Sequence, residues 1–392
     1  MESGTYLRNE LMKIYYIANA RMPTEKAHGI QIAKMCEAFI EEGIDLTLVV
    51  PTRATDARSL KDYYGLRVSV PLVRLPALDW YGRGRFRYAL SSLSFMFSYV
   101  CFLAYKKMAG EHFVLYTVDI DTFSSSALTF LHRPLFSEMH TAKSATIAGR
   151  VLFKGIRGII AINRIIVEEL RRAFPHSRAQ YMIEPNGVDL ASFPKTEKAE
   201  ARTRLGLPID IPIVLYSGRF FEWKGLEILP KAAAATPSIR WQIVGGDEEG
   251  FEKLVHEFLP ANFFFAGSRP YNEMPLWYVA ADALIVLGTK RDVQSYRYTS
   301  PMKLFECFAA ERPIIASGTP ALHEIASEKE VLFYEPDDAQ DLARLASYAV
   351  THHKELAPKI QAAGRMAAQY SWRSRAERIV RFIKETTSTR AH

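Results

Sequence analysis

Three short stretches of the 392-residue chain carry side chains able to hold or polarise a ligand. The first, LYSGRFFEWKG (215–225), runs from an apolar strand into Gly218 and Arg219, with Lys224 and Gly225 closing the loop. Glycine lets the backbone approach a ligand closely, arginine presents a planar fork to phosphate, and lysine presents a point charge. Surface cations on a strand-to-helix loop would show the same spacing. The second, YTSPMKLFE (298–306), places Ser300 as an N-cap and Pro301 as a first helical residue. Free amides at such a helix end form an anion site. Glu306 falls about two turns inside that helix, beyond the reach of its N-terminal field. It can accept the paired hydroxyls of a ribose, or stand as a satisfied structural glutamate. The third, PNGVDLASF (185–193), is a turn in which Asp189 can bond the loop backbone.

Alternating strands and helices must position these loops. Strand-type runs are expected at 13–18, 45–50, 67–75, 113–118, 134–138, 158–162 and 180–184, with a helix over 31–42 ended by Gly43. Between 194 and 212 the chain turns charged and proline-containing, which suits a linker and a short helix. Strand signals then restart at 213–217, 241–244, 262–266, 283–287, 313–316 and 331–333. Strands separated by crossover helices predict an α/β chain of two doubly wound, Rossmann-like parallel-sheet domains facing a central cleft, with ligands beyond the carboxyl ends of the strands. The domains are placed at 12–195 and 196–371. An amphipathic helix over about 372–390, anchored by Trp372, is expected to pack back on the first. Residues 1–11 read as an extension or a misplaced start, and no secretory signal is expected because they are polar and charged.

Composition excludes disorder and low complexity: 48% of positions are hydrophobic and 24% charged. The three scattered cysteines, Cys36, Cys101 and Cys307, form no CxxC pair, which argues against a disulfide framework or a cysteine zinc site and fits a reducing cytoplasm. The net charge of +7 is concentrated in residues 51–107, where ten basic residues meet three aspartates. That window suggests an anionic partner, a basic acceptor groove or a solvated face. It encloses Tyr88–Tyr105, eighteen uncharged residues at the lower edge of a membrane-spanning length; four serines, three tyrosines and basic flanks favour a buried or interfacial helix. No nucleic-acid reader motif accompanies the charge, so nucleic acid is not expected as a partner. Asp119-Ile-Asp121 is literally a DxD metal signature, but solvent-exposed or loop-capping aspartates are the expected reading, and no metal is assigned.

Taken in order, GRFFEWKG (218–225), EPNGVDLASF (184–193), IVGG (243–246) and SPMKLFECFAAERPIIASGTPALHEI (300–325) resemble the retaining GT-B glycosyltransferases, specifically glycosyltransferase family 4. KAHGIQIAKMCEAFIEEGIDLTLVVP (26–51) is similar to that family's acceptor-side loop, helix and second strand, and YSWRSRAERI to its returning helix. The resemblance implies transfer of a sugar, with retention, from a UDP- or GDP-linked donor to a saccharide or lipid-linked acceptor in surface polysaccharide or glycoconjugate synthesis, without metal or other cofactor. It implies that Arg219, Lys224, Gly218, Gly29 and the backbone at Thr299, Ser300 and Pro301 hold the diphosphate. Glu306 would grip the ribose, and Gly245, Ser268, Tyr271 and Met274 would frame the nucleoside. His140, in FSEMH, would contact the donor sugar together with Tyr298 and Thr299. His28, Gln31, Arg83 and Arg85 would face the acceptor. Where the family has the first glutamate of E-x7-E this chain has Tyr298, so the sugar's identity stays open; Arg291, Asp292 and Gln294 are candidate substitutes. His28 stands where a second glycine is usual. An inactive nucleotide-sugar binder and a sugar-nucleotide epimerase are the alternatives. The arginines at 83, 85 and 87, interleaved with aromatics, also suit a peripheral enzyme on an anionic inner membrane face.

Overall fold

The computed structural model describes residues 12–80 and 84–388. Seven strands form the first sheet: β1 Lys13–Ile17, β2 Asp45–Pro51, β3 Leu72–Leu75, β4 Val114–Val118, β5 Leu135–Met139, β6 Gly158–Ala161 and β7 Gln180–Ile183. Their order is β3-β2-β1-β4-β5-β6-β7. Six more form the second: β8 Ile213–Ser217, β9 Arg240–Val244, β10 Phe263–Phe265, β11 Ala283–Val286, β12 Ile314–Ser317 and β13 Leu332–Tyr334, ordered β10-β9-β8-β11-β12-β13. Pairing is parallel from β3 through β6 and from β10 through β13. Strands buried on both faces explain the continuous apolar runs, such as IVLYS in β8, that replace strict alternation.

The chain divides into two compact units. Unit 1 takes in residues 1–161, 167–182 and 376–392, so far as they are described, and unit 2 takes Ile162–Ile166 and Ile183–Arg375. In unit 1 the helix Ala27–Glu41 buries Ile32, Met35, Cys36 and Phe39 completely. It begins four residues earlier than its hydrophobic spacing indicates, because Lys26 is already extended at its N-cap. β3 is shorter than the run 67–75, since Arg67 is drawn off the sheet by Glu37 and Glu41. Helix Trp372–Ser388 ends on unit 1: Phe382 packs edge-on against Phe136 at 5.9 Å, and Arg157 donates to the carbonyls of Thr386 and Thr387 at 2.7 and 3.1 Å.

Unit 2 buries two layers against its sheet, one around Leu284, Phe305 and Phe308 and the other around Leu229, Trp241 and Phe251. The 194–212 segment supplies the helix Lys198–Leu205, closed by Gly206 in the left-handed region. Buried Arg202 and Lys198 both pair with Asp282, which fixes this helix before β8.

Candidate functional site

In unit 2, three strand ends interlock through glycine. The Gly218 amide donates to the Val244 carbonyl at 2.8 Å, and the Gly245 amide to the Gly267 carbonyl at 2.9 Å. All three glycines have positive φ. A Cβ on Gly245 would collide with the backbone carbonyl of Gly218, and neither strand end can yield without leaving its sheet. Gly245→Ala is therefore expected to lower unfolding free energy by roughly 2 kcal/mol or more in urea titration. A change of a few tenths would show that this packing is slack.

The loop after Gly218 folds back on itself. Glu222–Lys224 forms one tight turn ending at Gly225 (φ 73°), and Lys224 Nζ donates to the Arg219 carbonyl at 2.9 Å. The exposed Arg219 guanidinium lies over the Phe221 ring, which stacks on Trp223, and it forms no ion pair among the described residues. Across from the loop, Glu306 is 3% exposed on helix Met302–Ala309. Its Oε2 accepts from Tyr278 Oη at 2.6 Å and from Lys303 Nζ at 3.2 Å, and Tyr278 Oη lies 2.7 Å from Ser217 Oγ. Glu306 Oε1 is buried with no hydrogen-bond partner among the described residues. A buried carboxylate oxygen left empty is unfavourable unless something fills it.

Lys303, Lys224 and Arg219 thus crowd one place. Burial first, then the charges of Lys303 and Arg219, push the Lys224 ammonium down from its usual 10.5 to about 7. A bound diphosphate would reverse the last two influences by supplying negative charge. Nucleotide-sugar binding is therefore expected to draw a proton onto Lys224, with affinity flat below about pH 7 and falling as pH rises above it. Calorimetry in buffers of different ionisation enthalpy reads this directly, and identical apparent enthalpies in all buffers would contradict it.

Structure corrects one element of this site. Ser300 is not the N-cap: Pro301 occupies that position in extended conformation, and the helix begins at Met302. Ser300 Oγ is instead buried without a partner among the described residues, while the Ser300 carbonyl accepts from Asn186 Nδ2 at 2.7 Å. Thr299 Oγ1 donates to the Gln294 carbonyl, and Tyr298 closes a π-helical turn, Gln294–Tyr298, whose last carbonyl accepts from Asn163 Nδ2 at 3.1 Å. Two of the candidate substitutes beside Tyr298 are committed elsewhere. Arg291 pairs with Glu227 and Asp337, and Asp292 accepts from the Ser295 amide. Ser268 is exposed and Tyr271 half-buried on the turn after β10, whereas Met274 is 6% exposed within the core beside Trp277 and Tyr278.

A second cluster stands at the carboxyl end of the unit 1 sheet. Glu138, fully buried in β5, accepts from Gln31 Nε2 at 2.5 Å and from Tyr116 Oη, and lies 3.2 Å from His140 Nε2. Burial, with the charges of Lys26 and His140 next, pushes His28 down to about 4, so it is neutral near pH 7. Gly29 is required by packing as well as by any ligand: a Cβ there would strike Tyr64 Oη and Thr24. Arg83 lies outside the described residues, as does the side chain of Arg85. The DxD aspartates are occupied. Asp119 pairs with Lys143 at 2.5 Å, and Asp121 caps the helix Thr122–Ser126 while accepting from Tyr88 and Asn19.

Residue types alone did not single out Lys303, Tyr278 or Glu138. Lys303 had a readable signal, its position three residues before Glu306 on one helix face. Glu138 had a weaker one, a lone carboxylate inside an apolar strand run.

These two sheets with their loop-end clusters define the GT-B class of fold, and residues 197–367 match the family model for glycosyl transferases group 1. The sucrose-phosphate synthase of Thermosynechococcus elongatus superposes with a TM-score of 0.73 at 21% identity, covering 96% of this chain and 100% of that one. Anabaena HepE, solved in complex with UDP and glucose, gives 0.70 at 17% identity over 95% of this chain and 100% of its own. A D-inositol 3-phosphate glycosyltransferase of Xylanimonas cellulosilytica is 29% identical over 223 residues, 49% of this chain and 52% of that protein. The chain thus spans about half the length of the curated relatives it matches.

Proposed function

We propose that this protein is a retaining glycosyltransferase that moves a sugar from a UDP- or GDP-linked donor to a saccharide or lipid-linked saccharide acceptor in the cytoplasm, for surface polysaccharide or glycoconjugate synthesis. The observation that carries the reading is the unfilled Oε1 of buried Glu306 beside Lys303, Lys224 and Arg219. A carboxylate acceptor for vicinal hydroxyls next to a cluster of cations suits a nucleoside diphosphate: hydroxyls to Glu306, diphosphate oxygens to the ammonium and guanidinium groups. The match of residues 197–367 to a glycosyl transferase family model and the UDP complex of HepE support the same assignment.

Chemistry then needs little from the protein beyond charge placement. As the glycosidic bond to phosphate breaks, negative charge grows on the departing oxygen. Arg219, Lys224 and a helix end of about +0.5 stabilise it. The same phosphate oxygen takes the proton of the attacking acceptor hydroxyl on the face it is leaving, so configuration is retained and no protein nucleophile or metal takes part. In unit 1, His140, held by Glu138, is assigned to hydroxyls of the donor sugar, with Gln31 and His28 on the acceptor side.

A transfer assay with UDP- and GDP-sugars against saccharide acceptors, read by NMR at the new anomeric centre, tests this. Retained configuration in chelator-treated protein is the expected result. Inversion, strict metal dependence or alteration of the donor without acceptor would refute it, and donor binding without turnover would favour an inactive binder.

A further inference from the structure

Helix Arg85–Met108 is apolar on both of its faces, and the described residues cover only one of them. Phe95, Tyr99 and Leu103 have no exposed surface, and Tyr99 Oη donates to the Ser124 carbonyl at 2.6 Å. This face locks the helix into unit 1 and is incompatible with a membrane span. On the other face, Phe86, Leu93, Phe97, Cys101, Tyr105 and Met108 recur at helical spacing, and all are exposed. Phe97 is 73% exposed and Met108 79%. Only 28% of the apolar window is buried. A helix apolar all round is normally enclosed, and a continuous exposed stripe of this length marks a contact surface.

The charges around the stripe indicate what covers it. No acidic residue occurs from 80 to 110, and exposed Arg87 and Lys107 stand near the two ends. Lys107 also donates to the Leu131 carbonyl, tying the helix end to the turn Ala127–Leu131, where Phe130 is 67% exposed. Next along the chain, His132 and Arg133 open a cavity lined further by Arg150, Lys154, Arg157 and Arg172, with no carboxylate among the described residues of its wall. Apolar side chains bordered by cations suit a layer of acyl chains beneath anionic headgroups.

We propose that the exposed face of helix 85–108 seats unit 1 on an anionic lipid bilayer, with Leu93 and Phe97 entering the acyl layer and Arg87, Lys107 and the neighbouring basic cavity contacting headgroups. The helix lies along the surface and does not cross it. This goes beyond the transferase reading and stands or falls separately from it.

Flotation of the full chain with phosphatidylglycerol–phosphatidylcholine vesicles tests the proposal, with circular dichroism as the fold control. Wild type is expected to float with these vesicles, to float less with phosphatidylcholine alone, and to be released by alkaline carbonate. Leu93→Glu with Phe97→Glu should reduce the floated fraction roughly tenfold or more at unchanged melting temperature. Phe97→Ser, which adds no charge, should give an intermediate loss should the double variant fail to fold. Failure of wild type to float, wild-type flotation of the variants, or resistance to carbonate would overturn it. So would a wild-type dimer in light scattering that Phe97→Ser dissociates, because the stripe would then bind a second copy.

Discussion

Lys224→Ala is expected to lower kcat/KM for the donor by roughly one to three orders of magnitude, with the fold intact. Each hydrogen bond to a charged group is worth about 1.5–3 kcal/mol, and 1.36 kcal/mol is a tenfold change in rate. The side chain is half-buried at a loop end, donates to a backbone carbonyl and lies over the loop's own Phe221 and Trp223 rings, so its removal should leave the core unchanged. Its ammonium is held near neutrality by burial and by Lys303 and Arg219. Charge developing on a leaving diphosphate is what would restore it, so the loss should fall on kcat as well as on donor affinity. Lys224→Arg keeps the charge but sets a planar fork where the loop accommodates a slender chain, and it should recover only part of the rate. Steady-state kinetics decide the matter, and an unchanged kcat/KM for Lys224→Ala would remove this residue from the chemistry.

Glu306→Ala should act on stability and binding together. It strands the Lys303 ammonium beside an apolar core that includes Phe305 and Phe308, and it removes one acceptor from the Tyr278 hydroxyl, which keeps Ser217 Oγ at 2.7 Å. Breaking a buried charged pair from one side typically costs about 3–5 kcal/mol. Lys303 is partly exposed, so the lower end of that range applies. Glu306→Gln separates the two effects. It keeps an acceptor oxygen for Tyr278 and nearly the same shape, yet it puts an amide NH2, a donor, where the empty oxygen stood. Nucleoside diphosphate affinity is expected to fall about ten- to a hundredfold while the denaturation midpoint moves little. Nucleotides lacking both ribose hydroxyls should bind wild type and Glu306→Gln alike. An equal penalty from both variants on stability, with none on nucleotide affinity, would mark Glu306 as structural.

The strand ladder was legible because parallel strands buried on both faces leave unbroken apolar runs between turn signals: all thirteen strands fall on such runs, with β3 only at the end of its run. Site loops were legible for a related reason, since Gly218 and Gly245 hold backbone conformations that other residues reach only with strain. What stayed hidden depended on three dimensions. Lys303 is an ordinary first-turn lysine until Lys224 folds back near it. Glu138 is an isolated acid in a strand until Gln31, Tyr116 and His140 converge on it. Ser300 carries a capping residue's chemistry, but the proline after it shifts the helix start by one residue. The run 88–105 reads in sequence as a buried or interfacial helix without a choice between the two, because hydropathy cannot tell a covered face from a bare one.

Central to the account is an anion cradle in unit 2 built from Arg219, Lys224 and Lys303 around the open oxygen of Glu306. Isothermal titration of the full chain with UDP, GDP and ADP, repeated on Arg219→Ala with Lys224→Ala, tests it most directly. The account predicts saturable binding of at least one of these nucleotides to wild type and its loss in the double variant. No binding of any of the three, or undiminished binding to the double variant, would contradict it.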